Sequence, residues 1–248
     1  MSGSKSPQVL TTPQREALER WDDNLTYEEI VTHYTLTAKD IRVVYQEFPG
    51  TSRLGMVVQL ALLRYPGRVR GNLHHLSEVI INHLASQIDE TETSLWDYDQ
   101  HKRDAHLKRL RAIYGYRRYD RDAERMLLCA LFPQAMESDE ALPLVEQAMQ
   151  IMRKQKVIVP GLSTIESLIW RILQLAEYVF YRRLTANFTP EHCTKLQLLI
   201  ESDEDQISLD WLREPVGKAS RSNLYHLLEQ IVTIRSLNLP MPAIETHP

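Results

Sequence analysis

Three basic clusters carry the side chains most able to do chemistry in this sequence of 248 residues. The first lies in Tyr27–Phe48, which reads as a helix-turn-helix. One helix ends near His33, a short turn runs through Thr35, Leu36 and Thr37, and a second helix starts at Ala38. In that motif the front of the second helix enters a major groove, so Thr37, Lys39 and Arg42 would face DNA. Two basic residues are few for a recognition helix, and the turn has no glycine. An ordinary helical hairpin fits the same pattern. The second cluster is Arg53, Arg64, Arg68 and Arg70. Arg64 sits where a basic side chain satisfies helix-end carbonyls. Arg68 and Arg70 follow the Pro66–Gly67 break in an expected loop, placed to meet phosphates. The third cluster runs from His101 to Arg125. At helical spacing, Leu107, Leu110 and Tyr114 form an apolar seam, with Lys102, His106 and Arg109 on the opposite face. Asp104 and Lys108 read as a surface ion pair. Arg103, Arg117, Arg118 and Arg121 complete the run, with tyrosines interleaved around Gly115. Such a run also suits a plain solvated face.

Catalytic readings find little support. The nine His and two Cys show no metal-ligand spacing. There is no glycine-rich phosphate loop and no nucleophile elbow. Asp203, Glu204 and Asp205 are consecutive, and neighbours in sequence do not converge on one ion from a helix. No metal or other cofactor is expected. Cys129 lies within the apolar run Met126–Phe132 and is expected to be buried. A disulfide from it to Cys193 is not expected, and a reducing compartment is the simpler setting. Trp21, Trp96, Trp170 and Trp211 are expected in the core or at its edge.

The elements that must hold these clusters are helices. Thr12 with Pro13, Thr37 with Asp40, and Thr189 with Pro190 mark helix starts. Thr26 with Glu29 and Ser163 with Glu166 read as capping boxes. Leu54, Val57, Val58, Ala61, Leu62 and Tyr65 keep helical rhythm, as do Ile165, Leu168, Ile169, Ile172, Ala176 and Val179. Lys156–Val159 alone has strand-like composition, and Pro160–Gly161 ends it. The expected fold is all-α and multi-module. Residues 1–71 form a helix-turn-helix-like N-terminal DNA-binding domain. Residues 72–160 form a second one carrying the basic helix, and residues 161–248 a helical linker or third domain.

Composition agrees with a globular helical chain: 43% hydrophobic, 25% charged and only 8 glycines. The longest apolar run, Met126–Phe132, is far short of the ~20 residues a membrane span needs. The polar residues 1–8 read as no secretory signal. A net charge of −4 hides bands of alternating sign. Residues 51–75 hold four Arg and no acid, and residues 76–100 hold six acids and no Lys or Arg. Residues 101–125 hold nine basic and four acidic residues. Binding depends on such local patches rather than on the sum.

Arg53-Leu54-Gly55, then Gln59-Leu60 and Leu63-Arg64-Tyr65-Pro66-Gly67, closely resembles a signature of Tn-three family transposases, the enzymes of class II replicative transposons. His33–Thr37, Gly115-Tyr116-Arg117, Pro160–Thr164, Leu212–Pro215 and Gly217-Lys218 resemble the same family, so the likeness spreads over nearly the whole chain. The resemblance implies a helical N-terminal region that binds the transposon's terminal inverted repeats. It also implies that catalysis, with an Asp-Asp-Glu triad and divalent metal ions, belongs to a later ribonuclease-H-like domain beyond this chain. Expected partners are double-stranded DNA and a second copy through the full-length transposase, with no membrane and no small-molecule substrate. The expected setting is bacterial cytoplasm, at the nucleoid. The expected DNA contacts are Lys39, Arg42, Arg53, Arg68, Arg70, Lys102, Arg103, Arg109, Arg117, Arg118 and Arg121. The other reading is a stand-alone helical interaction module that regulates a full-length transposase.

Overall fold

Local capping chemistry sets the first helices. Thr26 Oγ1 accepts from the Glu29 backbone N–H, and the Glu29 carboxylate accepts from Thr26 N at 2.8 Å, opening a helix at Tyr27. Thr37 and Asp40 repeat the exchange for the next helix. In the computed structural model, which describes residues 8–19, 25–48, 50–68, 76–90, 100–201, 221–236 and 238, the described residues form helices and one isolated bridge. The helices are α1 (Thr12–Glu19), α2 (Tyr27–Tyr34), α3 (Ala38–Glu47), α4 (Arg53–Arg64), α5 (Glu78–Ser86) and α6 (Gln100–Tyr114). There follow α7 (Arg121–Glu137), α8 (Ala141–Lys154), α9 (Leu162–Leu184), α10 (Pro190–Glu201) and α11 (Arg221–Ser236). The all-α expectation holds.

The chain divides into two compact units, Met1–Ala176 and Glu177–Pro248. The first contains two hydrophobic cores. One is built around α4, where every residue from Leu54 to Leu63 is buried. A helix buried all round must lie at the centre of a bundle, and α2, α3, α5 and α6 pack on it. Gln87 fastens the glycine-free turn between α2 and α3: its side chain accepts from Leu36 N at 2.6 Å and donates to Tyr34 O at 3.1 Å. The second core joins α7, α8 and the first half of α9, with Leu10 buried in it and Leu18 packed against it.

These cores do not follow the expected module edges. The first draws on both sides of residue 71, from Ile30 to Leu110. The second runs across residue 160, from Ala123 to Ala176. Between them, Lys156–Val159 forms one bridge rather than a strand: Arg117 N donates to Lys156 O at 3.0 Å, and Ile158 N to Arg117 O at 2.9 Å. Val159 N donates to Gly67 O at 2.9 Å. Gly67 has φ +91°, and a Cβ there would meet Arg153 Cγ at 2.8 Å and Val159 Cγ2 at 2.9 Å. A Gly67→Ala variant is therefore expected to lose about 1–3 kcal/mol, as overpacked sites do. Urea unfolding checks this, and an unchanged midpoint would contradict the close approach.

Several local expectations need correction. The cap of α1 is Thr11, whose N–H donates to Gln14 Oε1 at 2.9 Å; Thr12 is already helical. Ser163 lies inside α9, and no capping box forms. Its intended partner Glu166 is buried and accepts from Leu10 N at 3.3 Å and Arg15 Nη2 at 2.6 Å. Cys129 is exposed, because its position on α7 faces away from the Ala123–Leu127–Leu131 stripe; like Cys193 it is free. Trp170 is 42% exposed on the outer side of α9, away from the core. Trp21, Trp96, Trp211, Arg70 and Asp203–Asp205 lie outside the described residues.

In the second unit, Thr189 caps α10 as expected, accepting from His192 N at 3.4 Å. The helix α11 leaves Leu224, Tyr225, Leu228 and Val232 exposed.

Candidate nucleic-acid interface

The helix α3 presents two faces with different tasks. Asp40 and Val44 turn inward and are fully buried, while Lys39, Arg42 and Gln46 turn outward and are exposed. Asp40 is the anchor. It accepts from Arg64 Nη1 at 2.8 Å and Nη2 at 2.7 Å, from Tyr114 Oη at 2.8 Å, and from Thr37 N and Oγ1, each at 2.7 Å. Arg64 therefore forks onto a carboxylate rather than onto helix-end carbonyls. This joins α3, α4 and the end of α6 at one point.

Burial alone would raise the Asp40 carboxyl. The hydrogen bonds from Arg64, Thr37 and Tyr114 outweigh it and hold the group well below the usual carboxylate range. Tyr114 moves the other way: burial first, then its bond to the Asp40 carboxylate, raise its hydroxyl. Thr37, expected to face DNA, spends its hydroxyl on Asp40. The amide ends of α3 are thus partly occupied by its own cap.

The other expected contacts divide by their partners. Lys39 keeps its ammonium 5.8 Å from the centre of the Tyr114 ring and is exposed, as is Arg42. Arg53 stacks over Tyr45 at 4.6 Å, donates to Phe48 O at 3.3 Å and approaches Glu90 at 3.8 Å. Arg68 is only 8% exposed, with Nη2 3.6 Å from Met149 Sδ. Arg109 pairs with Glu47, its Nε donating at 3.0 Å. His106 meets Phe48 edge-on and Arg109 reaches Glu47, so these two members of the Lys102–His106–Arg109 stripe lie towards the end of α3. Burial first, then the charge of Lys102, lower the His106 imidazole. Lys102 itself is exposed, and Arg103 is partly buried beside Gln59, which donates to its carbonyl at 3.1 Å. Arg117 is pinned by the backbone bridge and lies 3.9 Å from Asp120. Arg118 and Arg121 are exposed.

On the flank of α6 away from α3, Asp104, Leu107, Lys108, Arg111 and Arg118 line a concavity of about 590 Å³. Of these, the sequence marks Arg118 as a DNA contact, reads Lys108 as the ion-pair partner of Asp104 and gives Arg111 no role. The available signal was phase: Asp104, Lys108 and Arg111 repeat at helical spacing on one flank, with a surplus of positive charge. Among the described residues no group of His, Cys, Asp and Glu could hold a metal ion, and no helix is long and apolar enough to cross a membrane.

Residues 9–172 match a family profile described as a domain of unknown function, DUF4158. The chain belongs to this family. Its curated relatives include the transposase for transposon Tn1546 of Enterococcus faecium, 28% identical over 96% of the chain, and that for Tn501 of Pseudomonas aeruginosa, 30% identical over 86%. The transposase for Tn3926 of Escherichia coli is 26% identical over 94%. The chain spans about a quarter of the length of the curated relatives it matches: 25%, 22% and 24%. With these relatives, the chain resembles one region of Tn-three family transposases. The DUF4158 match ends at residue 172, close to the end of the first compact unit at Ala176, so it covers the first hydrophobic core and, of the buried residues of the second, all but Ala176.

Proposed function

We propose that this chain is a DNA-binding region of a transposase, that it recognises terminal inverted repeats, and that it has no strand-transfer activity of its own. The observation that carries the reading is the outer face of α3. It offers Lys39 and Arg42 to solvent while Asp40, one residue along, bolts the same helix to α4 and α6. A rigid helix with an exposed basic face is what reading a groove requires. Lys102, Arg117, Arg118 and Arg121 act through phosphates. Arg53, Arg68 and Arg109 act mainly through the fold, because each is engaged by the protein. The relatives' names, all transposases, support the reading.

The test is fluorescence anisotropy with inverted-repeat and scrambled duplexes at two salt concentrations. The inverted repeat is expected to bind about a thousandfold more tightly than scrambled DNA, the low end of ratios for specific sites. Equal binding of both, with a steep salt dependence, would leave only a general basic surface. The exposed apolar residues Leu224, Leu228 and Val232 of α11 favour the second reading, an interaction module that joins a full-length transposase. That reading takes over if neither duplex binds.

A further inference from the structure

We infer that the concavity on the outer flank of α6 is a seat for the sugar–phosphate backbone of nucleic acid, held by Lys108, Arg111 and Arg118. The inference rests on the DNA-binding reading and assigns a second surface to it, distinct from α3. Three cations and one carboxylate, Asp104, line the hollow. Among the described residues, none of the three forms an ion pair with an acid. Arg53, Arg64 and Arg109 each meet an acid of the fold. Arg111 makes no ion pair with a described residue, and its Nε is buried without a hydrogen-bond acceptor. A buried donor left unmade is costly, and a charged donor more so. The part of the Arg111 guanidinium that lines the hollow offers a phosphate oxygen the positive charge and fork geometry it matches.

The scaffold around the hollow is pre-set. Arg118 follows Arg117, whose backbone is hydrogen-bonded on both sides to Lys156 and Ile158. It precedes Asp120, which caps α7 by accepting from Ala123 N at 2.9 Å. Arg118 is thus carried on a link fixed at both ends, which lowers the ordering cost of binding. Lys108 and Arg111 stand about one turn apart on a helix whose Leu110 is buried in the first core. Leu107 adds an apolar wall, where an ionic contact is screened less than in bulk water. The seat does not read sequence: phosphate contacts fix register, and base edges specify.

The experiment titrates the full 248-residue chain with inverted-repeat and scrambled duplexes across a salt series, using K108Q/R118Q, R111K and the charge-keeping swap K108R/R118K. K108Q/R118Q is expected to bind both duplexes on the order of tenfold more weakly, with the salt slope reduced by roughly two units. The charge-keeping swap retains the parent slope, which separates charge from any loss of fold. R111K keeps the charge but loses the planar guanidinium fork, so its affinity falls several-fold with the slope unchanged. Parent-like affinity and slope in K108Q/R118Q would overturn the seat while leaving DNA binding by α3 in place. A loss confined to the inverted repeat would also overturn it, since a phosphate seat serves every sequence. A parent chain that binds neither duplex would overturn both the seat and the reading on which it rests.

Discussion

An Asp40→Asn variant is expected to lose about 3–5 kcal/mol of stability at neutral pH, the usual consequence of removing one partner from a buried ion pair. The carboxylate is fully buried and serves three elements at once: the start of α3, the end of α4 and the end of α6. Asparagine keeps the shape and one acceptor oxygen, but leaves the Arg64 guanidinium without its counter-charge. A domain holds only about 5–15 kcal/mol in total, so the loss is a large share. The pH dependence follows from the sign of the shift. Asp40 is held below its ordinary value in the folded state, so its contribution is complete above the unfolded value near 3.9 and is lost as pH falls through the lower folded value. The gap between parent and variant should therefore be constant from about pH 5 to pH 8 and narrow below about pH 4. Urea unfolding across that range checks it. A gap that widened in acid would mean that the carboxylate is not ionised in the native state.

How much of this was legible in the sequence depended on where each partner lay. The boxes Thr26–Glu29 and Thr37–Asp40 were readable because both members sit within one turn. The box expected at Ser163–Glu166 failed because Glu166 is claimed by Leu10 and Arg15, more than 150 residues away in the chain. The same cause hid the fate of the arginines. Arg68 meets Met149 across 81 positions and Arg109 meets Glu47 across 62, so a charge count within one band could not show that either was engaged. Lys108 was set aside for the opposite reason, a nearby Asp104 that looked sufficient. Only the fold shows Arg118 and Arg111 gathered at the same hollow. The segment that carried the family likeness proves structural: Gln59 ties α4 to α6, Arg64 grips Asp40, and Gly67 lets Val159 and Arg153 come close. Those residues identify the family without touching DNA in the proposed mode. That is why the family could be read before the binding surface could.

A double variant K39A/R42A is expected to discriminate poorly between the inverted repeat and scrambled DNA, with little change in folding. Both side chains are exposed, and neither belongs to the core that Asp40 and Val44 anchor, so the stability change should stay within about 0.5 kcal/mol. The binding change should be far larger on one duplex than on the other. A helix N-terminus often holds a phosphate through its free amides. Here the Thr37–Asp40 box occupies the Thr37 and Asp40 N–H groups at the start of α3, which weakens that route. What remains to α3 is side-chain readout, and its outward basic residues are Lys39 and Arg42. A good base contact is worth about 1–3 kcal/mol of discrimination. Losing two should cost the inverted repeat roughly one to four orders of magnitude in affinity while the scrambled duplex loses much less. Competition titrations with both duplexes at one fixed salt concentration measure the difference. Equal losses on the two would make Lys39 and Arg42 phosphate contacts, and no loss on either would remove α3 as the reading helix.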